Sequence, residues 1–323
     1  MNRKIQLAIQ MIIAGIITTL VAYFLSLNYW QTSGVISILS INMTRQDSLK
    51  VAFKRTVDVT IALLLSTLLF YLIGYNLYVY LGFLVIFIFG SWLLNLSEGI
   101  VVSIVLVIHI LSRGEFDGSL LLNEFSIFIL ALIIALAVNI LYPNVNEKKL
   151  EKNVVLIDQY IQEHTFMLSL LLNDLTGYKD YKKHYFNILN LIEPILKEAD
   201  LLKKDQVLNK DFKYADYLYM RKAQLTSLNR MYDLTLKIKS EETITKEISE
   251  FIQQLCFDIG KDNKASFQLS KLAEYRKELE KTALPKTRNE FETRAVLYQI
   301  LNELENFLFE KQQYHEKYEK KGQ

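Results

Sequence analysis

The chain has 323 residues, 51% of them hydrophobic and 22% charged, with a formal net charge of +2. So small an excess of cations argues against nucleic acid as a partner. The lone cysteine, Cys256, excludes an intramolecular disulfide and reads as a small buried hydrophobe.

Those averages hide a split. Up to about Tyr142 the chain is apolar, with charges confined to breaks, whereas from Glu147 onward Lys, Glu and Asp recur in almost every turn. Two domains are expected, a membrane domain over 1–143 and a water-exposed one over 144–323. The apolar run after Arg3 and Lys4 is not expected to be a signal peptide. It is too long, lacks an Ala-x-Ala cleavage site and is followed by further spans.

Crossing the hydrocarbon core takes ~20 apolar residues in a helix. On that measure the first domain reads as six spans, at 5–27, 31–43, 57–73, 77–94, 98–112 and 120–142. The second and fifth are short. The stretch Tyr29–Asp58 sets the topology: the aromatic pair Tyr29-Trp30 suits the membrane–water boundary, and a loop carrying Arg45, Lys50, Lys54 and Arg55 suits the cytoplasm. Arg3 and Lys4, this loop, and Lys148, Lys149 and Lys152 fall on one side only if six crossings are made, with both termini in the cytoplasm. The long–short–long order occurs twice, which would make the halves an inverted 3+3 repeat.

Polar residues at membrane depth are the candidate pathway. Thr32, Ser33, Ser37 and Ser40 would be costly facing lipid tails, so the second span is expected to turn them toward protein or water and to line the route. Asp58 follows Lys54 and Arg55 at helical spacing, so a pairing among them is the plain reading and a gate at the cytoplasmic mouth the functional one. Glu98 reads as an interfacial turn residue, or as part of a relay. His109 reads as a neutral histidine bonded to a neighbour's hydroxyl or backbone, or as part of a pathway. Arg113 marks the outer mouth. Asn139 is a candidate for an interhelical hydrogen bond, and Gly82 with Gly90 for close helix packing.

The second domain reads as all helical: Glu147–Asp174, Tyr181–Lys204 with a kink expected at Pro194, Phe212–Lys239, Thr245–Ile259, Phe267–Lys281 and Phe291 to about Lys317. Breaks fall at Pro143 and Gly177. Capping boxes are expected at Asn144-x-x-Glu147 and Thr287-x-x-Glu290, with fraying from Tyr314. His164, His184 and His315 are scattered and read as surface or core residues. No nucleotide loop, metal-ligand spacing or nucleophile elbow occurs, so neither a cofactor nor an enzymatic activity is expected.

Three motifs carry a resemblance. Tyr29-Trp30-x3-Gly34-Val-Ile-Ser-Ile-Leu, Ser48-Leu49-x3-Phe53-Lys54-Arg55 and Asn139-x-x-Tyr142-Pro143 resemble, in order and spacing, signatures of the bacterial aromatic acid exporter family. That family is related to fusaric acid resistance transporters and distantly to plant malate channels. The helical C-terminal half resembles the cytoplasmic domain attached to such membrane halves. Gln31-Thr32-Ser33 stands where the family usually has Ala, and 57–73 lacks the family's glycines. The resemblance implies efflux of small aromatic carboxylates by a multi-pass homo-oligomer in the bacterial cell membrane. Lys54 and Arg55 would attract the anion inside. The rival readings are a membrane-anchored helical scaffold and an organic-anion channel.

Overall fold

The structure, a computed structural model, describes residues 3–142, 147–173, 178–206, 212–240, 243–260 and 264–319. Among them every regular element is helical: twelve α-helices and one 3-10 turn. The chain divides into two compact units, 1–146 with 204–210, and 147–203 with 211–323.

The first unit holds α1 (Arg3–Phe24), α2 (Trp30–Ser40), α3 (Arg45–Ile73), α4 (Leu77–Leu93), a 3-10 turn (Ser97–Gly99), α5 (Ile100–Arg113) and α6 (Gly118–Leu141). Of these, α1, α3 and α6 are long and apolar enough to cross a membrane, and α4 is an apolar helix of 17 residues. At 11 and 14 residues, α2 and α5 rise only ~16 and ~21 Å.

The helix starts follow from local chemistry. Thr44 accepts from the Asp47 amide at 3.1 Å and donates to its carboxylate at 2.7 Å, and no Gly or Pro interrupts the chain from there to Ile73. Arg45–Thr56, expected as a loop, is therefore the first part of α3. Asn76 caps α4 through the Val79 amide at 3.1 Å, and Asp117 caps α6 through the Ser119 amide at 2.9 Å. Gly114 ends α5 with φ 76°, a conformation that favours glycine.

Packing in this unit has a swapped order. The short α2 lies on α6 and the short α5 lies on α3, while α1 also packs on α6 and α4 on α3. Exchanging the two triads of helices maps each of these contacts onto another. The halves are not equally tight. A Cβ on Gly15 would sit 2.9 Å from Ile38, and one on Gly34 would collide with the Thr19 hydroxyl, so α1 and α2 meet almost backbone to backbone. Gly82 and Gly90, expected at a close helix contact, face open space instead. Phe70, Phe83, Phe87, Leu106 and Phe128 fill the core, while Val85, Phe89, Trp92 and Leu141 are exposed. The aromatic run of α4 thus divides between two faces.

The second unit holds α7 (Glu147–Asn173), α8 (Tyr178–Asp205, whose final residues group with the first unit), α9 (Tyr214–Thr235), α10 (Thr243–Phe257), α11 (Ser266–Leu279) and α12 (Arg288–Glu319). Pro194 lies inside α8, which continues through it. Against α7 pack α9 and α10, and α12 packs on α9 and α11. Leu150, Val154, Ile157, Ile161 and Leu168 of α7 are all buried, as helical spacing predicts, beside Leu225, Leu228, Leu301 and Phe307. Leu236, placed by sequence on the α9 stripe, lies beyond that helix and is exposed. Thr287 and Glu290 form the expected reciprocal cap, at 3.2 and 3.3 Å. The segment from Tyr314, expected to fray, stays helical to Glu319, and Lys317 and Tyr318 both bond Asp216. Pro143, Asn144 and Gly177 lie outside the described residues, as does the side chain of Glu147.

A buried ionic network crosses the second unit's core. Arg221, 1% exposed, donates to Asp158 at 2.7 Å, to Gln224 at 2.6 Å and to the Tyr217 hydroxyl at 2.7 Å. Burial drives the Tyr217 phenol far above its ordinary range. Nearby His164 is wholly buried, stacked at 3.9 Å on Tyr181, with Nδ1 3.1 Å from His184 Nδ1. Burial first, then the neighbouring His184 and Lys182, lowers its pKa to about 3. Cys256 is buried and bonds the Ile252 carbonyl, and burial pushes its thiol up to about 12.

Candidate functional site: two polar clusters inside an apolar helical unit

The first cluster gathers around Asp58 on α3, which is wholly buried. Its carboxylate accepts from Ser91 of α4 at 2.7 Å and from Ser103 of α5 at 3.4 Å. A Cβ on Gly99 would lie 2.6 Å from this carboxylate, so the turn before α5 closes directly over it. The pairing with Lys54 and Arg55 expected from helical spacing is not made, because both cations have better partners on other elements. Lys54 bonds Glu98 at 2.8 Å, with both side chains more than a third exposed. Arg55 donates to the Glu98 carbonyl at 2.8 Å, to the Leu39 carbonyl at 2.7 Å and to the Ser40 hydroxyl at 3.1 Å. It thereby serves the unbonded carbonyls at the end of α2, where a cation also suits the helix dipole.

The second cluster gathers around Glu124 on α6, whose side chain is 0% exposed. One oxygen lies 2.6 Å from Nδ1 of His109 on α5, and the other accepts from Asn123 at 3.1 Å. The other ring nitrogen of His109 lies 3.4 Å from the Thr32 hydroxyl on α2. Tyr29 stacks on the imidazole at 3.9 Å, 6° from parallel. Its backbone has φ 56°, a strained value for a bulky residue, so the ring is held over His109 at a conformational cost. Asn123 and Asn28 exchange hydrogen bonds at 2.9 and 3.0 Å, which fixes the start of α2 against α6.

The remaining expected residues divide. Ser33, Ser37 and Ser40 are buried against protein. Ser33 donates to the Trp30 carbonyl at 2.6 Å and Ser40 to the Ile36 carbonyl at 2.7 Å, while the Ser37 hydroxyl is buried without a partner. Arg113 is exposed and lies 3.7 and 3.8 Å from Glu115 and Asp117, apart from both clusters. Asn139, expected to bond another helix, donates instead to the carbonyl of Asn42 in the break between α2 and α3, at 3.2 Å. Sequence reasoning passed over Glu124, although a lone acid inside 120–142 was a usable signal. It also passed over Ser91, Ser103 and Gly99, which nothing in the sequence marks.

An open groove of about 600 Å³ lies between α3 and α6. Leu63, Leu64, Tyr71, Phe116, Leu122 and Phe125 wall it, and Thr60 and Thr67 supply hydroxyls. Among the described residues no group of three or more His, Cys, Asp or Glu side chains could hold a metal ion.

Ionisable groups buried among apolar helices, three of them long and apolar enough to cross a membrane, are the pattern of an integral membrane protein. Residues 4–142 match the family model described as "Aromatic acid exporter family member 1", and residues 147–312 match "Putative aromatic acid exporter C-terminal domain". The chain belongs to the aromatic acid exporter family. That family is one of membrane exporters, not an enzyme class. The chain is 31% identical over 298 residues to "Uncharacterized protein YqjA" of Bacillus subtilis (strain 168), with 89% of each chain covered. It is also similar to the "Crystal structure of putative membrane protein from Clostridium difficile 630", at 18% identity and a TM-score of 0.45. That match covers 51% of this chain and 98% of the other.

Proposed function

We propose that the chain exports small aromatic carboxylates across the cell membrane, crossing it six times with both termini in the cytoplasm. The observation that carries this reading is the burial of Asp58 and of the Glu124–His109 pair within otherwise apolar helices. The bonding pattern supports the topology. Lys54–Glu98 and Arg55–Ser40 join segments that six crossings put on the cytoplasmic side. His109–Glu124, His109–Thr32 and Asn28–Asn123 join segments that six crossings put outside. The ends of the short α2 are satisfied by protein, which supports its crossing: Arg55 covers the Leu39 carbonyl, and Asn123 bonds the backbone of Asn28. In this reading the first unit is the membrane domain, the second the cytoplasmic one, and the swapped packing is an inverted repeat.

Two features support this substrate class. The groove between α3 and α6 has the volume of a small-molecule site and aromatic walls that suit a ring. At the proposed inner mouth, Lys54, paired with Glu98 yet more than a third exposed, suits a carboxylate, and Arg55 holds the end of α2 beside it. Purified full-length protein in proteoliposomes tests this with labelled hydroxybenzoates and the uncharged amide analogues. Saturable uptake of the acids but not the amides is expected, and Arg55→Ala is expected to lower it. Uptake no greater than in empty liposomes across the panel would contradict the assignment.

A further inference from the structure

Asp58 and Glu124 occupy matching places. Each lies near the start of the apolar stretch of the third helix in its triad, α3 or α6. Each is approached by the start of the short helix of the opposite triad. Gly99 and Ser103 close on Asp58 at the head of α5, and Tyr29 and Thr32, at the head of α2, surround the histidine bound to Glu124. Both breaks leading into the short helices contain non-glycine residues with left-handed backbones, Ser26 and Tyr29 before α2 and Asn95 before α5. Exchanging the triads therefore pairs the two carboxylates, Asp58 meeting the opposite short helix directly and Glu124 through His109.

The two sites differ in access. Asp58 is sealed, with serines as partners. Glu124 is also enclosed, but His109 is 13% exposed and so links it to the surface. The helix N-terminus beside Asp58 suits its negative charge, and the hydroxyl, amide and imidazole partners of the two carboxylates also tolerate the neutral form.

We propose that Asp58 and the Glu124–His109 pair are the two proton-binding stations of the exporter, one for each mouth, used alternately. This rests on the transport reading given above. At the outer station a proton from water reaches the pair through His109. The pair passes from one negative charge, a carboxylate accepting from Nδ1–H of a neutral imidazole, to zero: the added proton enters on Nε2, beside the Thr32 hydroxyl, and the shared proton moves from Nδ1 to Oε2, leaving a neutral acid and a neutral imidazole. The neighbouring groups are accounted for. On the α2 side Tyr29 stacks on the imidazole and Thr32 bonds it. From α1, which packs on α6, Tyr23 turns its ring against Trp30 at 5.3 Å. From α3, Lys54 and Arg55 are bonded at Glu98, and Asp58 at Ser91 and Ser103. Farther along α5, Arg113 faces Glu115 and Asp117.

Two measurements test this, one without substrate. Infrared difference spectra of purified full-length protein, taken across a pH titration, should contain a carboxylic-acid carbonyl band that Glu124→Gln removes and His109→Asn shifts. Asp58→Asn should remove a second band. Spectra identical to wild type in Glu124→Gln and Asp58→Asn would overturn the proposal. In proteoliposomes, the dependence of aromatic-acid flux on an imposed pH gradient should be lost in Glu124→Gln and kept in Glu115→Gln, a surface control. Wild-type gradient dependence in Glu124→Gln would equally overturn it. If the wild type carries no aromatic acid, the transport reading fails while the infrared titration still decides whether the stations exist.

Discussion

Gly99 shows how a residue with no chemistry of its own shapes a site. Its missing side chain lets the turn before α5 settle on the Asp58 carboxylate, where a Cβ would lie 2.6 Å away. Gly82 faces open space on the free side of α4. Gly99→Ala is therefore expected to destabilise the protein by ~1–3 kcal/mol through overpacking, and Gly82→Ala to leave stability unchanged or slightly raised, read as midpoints of unfolding in detergent. A Gly82→Ala change as harmful as Gly99→Ala would contradict this placement. His164 makes a second prediction at this scale. The unfolded histidine titrates at about 6.5 and the folded one at about 3, so between those values the unfolded chain binds a proton that the native chain refuses. Stability should fall as pH drops from ~6.5 toward ~3, by at most ~1.4 kcal/mol per pH unit from this group. His164→Phe, which keeps a ring against Tyr181, should flatten that slope, and an unchanged slope would refute the assignment.

At the scale of elements, helices were legible because period and caps are local. The Thr287–Glu290 cap and the buried stripe of α7 stand where spacing puts them. Length was less legible. The cations between α2 and α3 looked like a loop, yet the Thr44 cap starts α3 at Arg45 and carries them on its first turns. The partners of those cations were not legible at all. Helical spacing offered Asp58 to Lys54 and Arg55, whereas the fold brought in Glu98 and the end of α2, 43 or 44 residues away along the chain for the first and 15 or 16 for the second. The same limit hid the second cluster. His109 was visible as an ionisable group in a span, but its pairing with Glu124 depends on how α5, α6 and α2 meet.

For the whole molecule, the composition shifts near Tyr142 and the chain divides chiefly between 146 and 147 into two compact units, while the charge asymmetry of the breaks supports the proposed six crossings. The contacts of both clusters are compatible with the proposed six crossings. The weak links are α2 and α5, at 11 and 14 residues. Were both to turn back without crossing, Lys50 and Phe116 would share a side. Thiol accessibility in intact cells separates these cases, and the background is low because Cys256 is buried and its thiol is pushed up to about 12. With Phe116→Cys, Lys50→Cys and Lys152→Cys introduced one at a time, a membrane-impermeant maleimide should label Phe116→Cys from outside. The two lysine positions should react only after permeabilisation. Labelling of Lys50→Cys and Phe116→Cys from the same side would contradict the six-pass exporter.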